Sequence, residues 1–301
     1  MKSNETSFFE ENGYIILKNI IPESDIDNLL NEFDNVVDNK IFNHWHTQNT
    51  HEYKKLKKNK EGFLEDSLQS PHAYCWSKEF RRSLTKIICN LNIQKKLKSI
   101  LNTKNNYAIW QSMFFDKTTG TLGHQDSYYL DTENGGGVIG CWFALEDIKI
   151  ESGPFYIIPK THKKGLLYNE KSKERYGDHD SYVKSMKAFE KKNKKNIVPI
   201  IVKKGDIVLW HSLTFHGALN NTNDKFSRKS LTCHFFPLNE KLKFHEKLPN
   251  VNKPFDFKVP IMGYPSNFQN FKTQIKTLSI ILKNKIKGSN VFMDMRRKSY
   301  E

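Results

Sequence analysis

Apolar residues recur at helical spacing in the first hundred positions and collapse into short strand-like runs from residue 107 onward. "GYIILKNI" (13–20) is a short apolar run ahead of a helix start. Pro22 suits the first helical turn, and Ile26, Leu29, Leu30, Phe33 and Val37 follow at helical intervals. A second helical stretch is predicted over roughly 78–101, carrying Phe80, Leu84, Ile87, Ile88, Leu91 and Ile93. The segments 107–115, 137–145, 154–159, 197–202, 206–212 and 230–236 are short, β-branched or aromatic, and bounded by turn residues. Such spacing predicts a sandwich or jelly roll. The charged stretch 166–196 interrupts the strands and is predicted as a loop or lid insertion. Near the end, Ser266 is placed to cap a helix closing at Gly288, with Phe268, Phe271, Ile275, Leu278 and Leu282 three or four apart. No repeat or linker divides the chain. One domain over 1–301 is expected: a helical part to about 105, a β core over about 106–240, and a helical extension over about 241–301.

Composition changes this picture little. Lys+Arg total 48 against 33 Asp+Glu, a formal charge of +15, but only six of the basic residues are Arg. Proteins that read phosphates favour the planar Arg fork, and here lysines are spread among asparagines, so no nucleic-acid surface is expected. With 37% hydrophobic and 13% aromatic residues the chain can bury a sizeable core. No apolar run approaches the length of a membrane-spanning helix, and the first residues hold no continuous apolar segment of a secretory signal. Cys75, Cys89, Cys141 and Cys233 lie far apart without a C-x-x-C pair, which points to a reducing, cytoplasmic setting. The terminal helix carries Lys272, Lys276, Lys283, Lys285 and Lys287 beside its apolar stripe, a pattern that also occurs on membrane surfaces; packing of the stripe on the β core is the expectation.

Candidate chemistry begins at "GTLGHQDSYYLD" (120–131). In an extended segment His124 and Asp126 leave the same face, so an imidazole and a carboxylate can take adjacent positions on one metal ion. A second segment, "GDIVLWHSLTFHGALNN" (205–221), offers His211 or His216 as a third ligand. Being five apart, these two face opposite ways in a regular strand. Two His and one carboxylate on one triangular face suit a non-haem Fe(II) centre with three open positions. Downstream, Arg228 shares a strand face with Ser230, Thr232 and His234. An inward Arg requires an anion, and a dicarboxylate would satisfy it, with the Ser230 hydroxyl as an additional donor. Tyr128 and Tyr129 follow the ligand motif and are candidates for the substrate side of the pocket.

The ordered set "FFEENGYIILKNIIPESDID" (8–27), "WQSMFF" (110–115), "GHQDSYYLD" (123–131), "GVIGCWFALED" (137–147), "ESGPFYIIPKTHKKG" (151–165), "GDIVLWHSLTFHGALNNT" (205–222) and "SRKSLTCHFF" (227–236) resembles the phytanoyl-CoA dioxygenase-like branch of the Fe(II)/2-oxoglutarate oxygenases. The resemblance implies a double-stranded β-helix (jelly-roll, cupin-like) core with flanking helices. It implies that His124, Asp126 and His216 bind Fe(II), and that Arg228 salt-bridges the distal carboxylate of 2-oxoglutarate. Gln111 and Trp142 fall at positions that line the co-substrate pocket. The implied reaction consumes dioxygen and 2-oxoglutarate, releases succinate and CO2, and hydroxylates an unactivated C–H bond. Relatives that halogenate replace the carboxylate ligand with a small residue; Asp126 therefore favours hydroxylation. A small-molecule substrate is expected from the same resemblance, since the family acts on acyl-CoA or carrier-bound thioesters, amino acids and other metabolites. The basic stretch 166–196 would suit an anionic or carrier-linked one. The competing reading is a catalytically silent cupin-like binding protein that keeps only the fold.

Overall fold

The computed structural model describes residues 3–39, 42–46, 53–168, 178–245 and 250–287. The first element is a helix, α1 (Asn4–Asn12), capped by Ser3, whose Oγ accepts from the Thr6 amide. Gly13 ends it at φ 77°, a left-handed conformation suited to Gly, and the reversal feeds directly into β1 (Tyr14–Leu17). The run at 13–20 is thus a strand of the sheet and not merely a lead into α2 (Glu23–Val37). On α2, Ile26, Leu29, Phe33 and Val37 are buried as their spacing predicted.

A small hairpin, β2 (His44–His46) with β3 (Tyr53–Lys55), and β4 (Leu68–Gln69) follow. The stretch predicted as one helix over 78–101 is two, α3 (Lys78–Ile88) and α4 (Leu91–Ile100). Asn90 breaks it: its side chain accepts from the Asn92 amide, capping α4 and favouring a helix start over continuation.

The remaining strands are β5 (Tyr107–Phe115), β6 (Ile139–Ala144), β7 (Phe155–Ile158), β8 (Val198–Pro199), β9 (Ile207–His211), β10 (Phe215–Ala218), β11 (Ser230–Pro237), β12 (Val251–Asn252) and β13 (Ile261–Met262). Helix α5 (His179–Lys192) lies between β7 and β8, and α6 (Asn267–Lys287) follows β13. The large sheet has the order β1-β9-β6-β11-β5-β13-β12, with β4 also paired to β5. A three-stranded sheet, β10-β7-β8, packs over it, and the two are not closed into a barrel. Flanking segments therefore contribute strands to the core: β1 and β4 from the N-terminal part, β12 and β13 from beyond residue 240.

Both faces of the large sheet are covered, so β6 and β11 are buried along their whole length. One face meets the helices, through residues such as Phe33, which stacks on Phe114 with ring centroids 4.2 Å apart. The other meets the small sheet through Trp142, Val208, Trp210, Phe155 and Ile157. The open side of that second interface holds the candidate site.

The polar insertion at 166–196 contains α5, where a loop or lid was expected. Tyr182 and Met186 are its buried positions, anchoring an otherwise lysine-rich helix on the small-sheet side. Part of that insertion, residues 169–177, lies outside the described residues, as do His51 and Gly288.

Candidate metal centre

His124 and His216 form an isolated antiparallel bridge: the His124 amide donates to the His216 carbonyl at 2.8 Å, and the His216 amide donates back at 3.0 Å. β10 presents His216 from the small sheet, opposite Ile157 of β7. Gln125 is extended (φ −116°, ψ 129°), so His124 and Asp126 project to one side, as their spacing predicted. The extended path then ends, because Asp126 opens a 3-10 turn to Tyr128. On the opposite side, the buried Gln125 amide donates to the carbonyls of Gly165 (2.9 Å) and Leu213 (2.6 Å) and accepts from the Leu167 amide (2.7 Å).

The Nε2 atoms of His124 and His216 each stand 3.5 Å from Asp126 Oδ1, and the three ligand atoms lie within 4.8 Å of one another. Each imidazole donates its Nδ1–H to the carbonyl two residues before it, His124 to Leu122 (2.8 Å) and His216 to Thr214 (2.9 Å). That leaves both Nε2 lone pairs directed at the shared space. The indole Nε1 of Trp210 donates to Asp126 Oδ2 at 2.8 Å, and His234 Nε2 lies 3.3 Å from the same oxygen. Burial opposes charge on Asp126, but the imidazoles of His216, His234 and His124 outweigh it and hold the carboxyl well below the usual range. Burial pushes His216 down to about 4 and works against charge on His124 too, where the neighbouring carboxylate wins and raises the pKa. An ionised carboxylate with a neutral His216 is a donor set that fits a divalent iron ion.

The same cavity, about 810 Å³, is lined by the three ligands and by Trp142, Thr232 and Arg228. Arg228 is 2% exposed, and among the described residues no carboxylate lies within salt-bridge distance of it. Its Nε has no hydrogen-bond partner, and its guanidinium stands over the rings of Phe115 (5.2 Å) and Trp142 (5.9 Å). Burial lowers its pKa to about 10, so it remains cationic at neutral pH. A buried cation without a salt-bridge partner, lining the same cavity as the His124, Asp126 and His216 set, fits the distal carboxylate of 2-oxoglutarate.

The other expected residues divide. Gln111 and Trp142 line the cavity, and Gln111 Nε2 sits 3.4 Å from His234 Nδ1. Tyr129 also lines it, with its hydroxyl 3.1 Å from His179 Nε2. Tyr128 does not: once the chain leaves the extended path at Asp126, this ring turns to stack on Tyr182 of α5, 3.6 Å away and nearly parallel. Ser230 is buried outside the lining, donating to the Arg228 carbonyl at 3.4 Å. His211 ends β9, and the turn at 212–214 sends it away from the ligands, its ring 5.5 Å from that of His162. His162 itself donates to the Glu10 carbonyl at 3.0 Å.

Three supporting residues escaped the sequence reading. Trp210 shares a strand face with Val208, a period-two signal that was available. Asp131 is fully buried and its carboxylate accepts from the amides of Thr132 (2.8 Å), Gly136 (2.7 Å) and Gly137 (3.1 Å) and from the Ser127 hydroxyl, closing the loop behind the ligand turn. An Asp ahead of "ENGGG" is turn chemistry that could have marked it. Tyr182, whose hydroxyl accepts from the Gln125 amide at 3.0 Å, carried no local signal.

Comparison with known proteins agrees with this geometry. Peroxisomal phytanoyl-CoA dioxygenase of Bos taurus is 25% identical over 244 residues, spanning 78% of this chain and 68% of the relative. Phytanoyl-CoA dioxygenase domain-containing protein 1 of Danio rerio is 35% identical over 148 residues, 48% of each chain. Among solved structures, the non-heme alpha ketoglutarate dependent carbocyclase SnoK from nogalamycin biosynthesis superposes with a TM-score of 0.56 at 16% identity, covering 80% of this chain and 85% of its own. EctD from S. alaskensis in its apoform gives 0.56 at 16% identity, covering 88% and 89%. These two likenesses establish the jelly-roll fold. The family model for phytanoyl-CoA dioxygenase (PhyH) matches residues 9–230, a span that takes in all three ligand candidates and Arg228, and the chain belongs to that family of iron- and 2-oxoglutarate-dependent dioxygenases.

Proposed function

We propose that the protein hydroxylates an unactivated C–H bond of a small-molecule metabolite. In the balanced reaction, substrate, dioxygen and 2-oxoglutarate give the alcohol, succinate and CO2. The observation that carries this reading is the unpaired, buried Arg228 in the same cavity as the His124, Asp126 and His216 cluster. A silent binding protein has no physical reason to retain a desolvated cation beside a complete donor set.

In this reading His124, Asp126 and His216 hold Fe(II), and Arg228 binds the distal carboxylate of 2-oxoglutarate. Iron and 2-oxoglutarate, when bound, supply the oxidising chemistry that splits dioxygen between succinate and substrate. The chain supplies position and a dry site. Trp210 fixes the orientation of Asp126, the Leu122 and Thr214 carbonyls fix the two imidazoles, and Trp142 and Phe115 wall Arg228 from water. Gln111 and Tyr129 line the remaining cavity wall and are assigned to co-substrate and substrate contact respectively. An anionic or carrier-linked substrate would suit the basic sequence of the 166–196 segment. Four free, buried cysteines fit a reducing compartment such as the cytoplasm.

The test is Fe(II)-dependent turnover over a panel of acyl thioesters, amino acids and other small metabolites, reading succinate release and incorporation of one oxygen atom from dioxygen into product. Coupled release and incorporation are expected for one substrate class. Absence of both, with iron and 2-oxoglutarate shown to be bound, rejects the hydroxylase assignment.

A further inference from the structure

Among its described side chains, helix α6 runs against its sequence pattern. The buried ones are polar: Asn270 is 7% exposed and Thr277 1%, and Gln274 Nε2 donates to the Cys75 carbonyl at 2.7 Å. The described apolar ones face outward, with Phe268 65%, Phe271 57%, Ile275 52%, Leu278 38% and Leu282 59% exposed. The expectation that this stripe packs on the β core is therefore wrong. A contiguous apolar stripe held open to water requires a partner.

The charge of the helix selects among partners. Its sequence, NFQNFKTQIKTLSIILKNKIK, has five lysines and no acidic residue. Lys272 and Lys276 are exposed along with the stripe. A second copy docked through the same face would set lysine against lysine with no carboxylate on either helix to compensate. A groove on another protein would have to enclose the helix, yet its polar side is already fastened to the body of the protein through Gln274. A planar, negatively charged surface with an apolar layer beneath it satisfies both the stripe and the lysines without either conflict. Among the described residues no helix is long and apolar enough to cross a membrane, so the mode is one of lying on the surface.

We propose that α6 is a membrane-surface anchor, binding bilayers rich in anionic lipid by inserting Phe268, Phe271, Ile275, Leu278 and Leu282 among the acyl chains with Lys272 and Lys276 at the headgroups. The attachment brings the oxygenase to a lipid interface and is independent of the reaction assigned above.

The full-length protein is sedimented with vesicles of phosphatidylcholine alone and of phosphatidylcholine with phosphatidylserine, at low and high salt. Binding to the anionic vesicles is expected to exceed binding to the neutral ones by at least about tenfold, and to fall as salt screens the lysines. Phe271→Ser/Ile275→Ser/Leu278→Ser and Lys272→Glu/Lys276→Glu should each abolish it, with circular dichroism unchanged because all five side chains are exposed. Equal partitioning to both vesicle types, or binding that survives the triple substitution, overturns the proposal. So does a concentration-dependent dimer in analytical ultracentrifugation that the triple substitution dissolves while vesicles go unbound, which assigns the stripe to a second copy. Retention by an acidic polypeptide without vesicle binding assigns it to a protein partner instead. If a variant misfolds, the lipid and salt dependence of the unmodified protein decides.

Discussion

Trp210 and Asp126 are joined by a buried hydrogen bond of 2.8 Å from the indole Nε1 to Oδ2. The bond occupies one carboxylate oxygen and leaves Oδ1, equidistant from the two imidazoles, for a metal. In the proposed iron site, affinity therefore depends on a residue that is not itself a ligand.

Trp210→Phe removes the donor while keeping an aromatic ring in the core. Loss of such a supporting bond lowers metal affinity by roughly tenfold or more. Gly140→Ala acts on the same bond from β6, since a Cβ there would fall 2.1 Å from the Trp210 ring and displace it. Fe(II) competition against a chromophoric chelator measures both. Unchanged affinity in Trp210→Phe would show that Asp126 is oriented by other contacts.

Arg228→Met separates binding from stability. Without co-substrate the guanidinium is buried and unpaired, so its removal should stabilise the metal-free protein by about 1–2 kcal/mol. The same substitution should abolish the rise in melting temperature that 2-oxoglutarate produces in the Fe(II)-loaded protein. Calorimetry with and without 2-oxoglutarate reads both effects; a variant that is less stable alone yet still responds to 2-oxoglutarate assigns the carboxylate to another residue.

Acid sensitivity is expected from His211. Burial first, and then the neighbouring His162, hold it near 4 in the folded chain, against about 6.5 when unfolded. Between those values the unfolded chain binds a proton that the folded chain refuses, so stability rises with pH across that window and its loss is complete below 4. The full contribution is on the order of 3 kcal/mol. In the metal-free protein His216 adds a slope of the same sign. Urea unfolding at pH 7 and pH 5 should show a smaller difference in His211→Gln than in the unmodified chain, and equal differences would place the acid response elsewhere.

Local spacing made much of the site legible. His124 and Asp126 needed only the two-residue alternation of an extended chain, and the rarity of Arg drew attention to position 228. What stayed hidden depends on contacts between distant segments. The burial of Arg228 without a salt-bridge partner among the described residues, the Tyr182 hydroxyl behind Gln125, and the turn that separates Tyr128 from Tyr129 are properties of packing. Helix α5 was masked because only Tyr182 and Met186 of its fourteen residues are buried, too few to show an apolar period among lysines. For α6 the period was plain and its use was not: periodicity names the apolar face of a helix without naming what that face meets.

Anaerobic titration of the metal-free protein with Fe(II) and 2-oxoglutarate, followed by visible absorption, measures the central feature directly. A weak metal-to-ligand charge-transfer band should appear at one equivalent of each, be absent when Zn(II) replaces Fe(II), and be lost in Arg228→Met at the same 2-oxoglutarate concentration. No band at any concentration, together with no Fe(II)-dependent formation of succinate, would contradict the assignment of His124, Asp126, His216 and Arg228 as one iron and 2-oxoglutarate site.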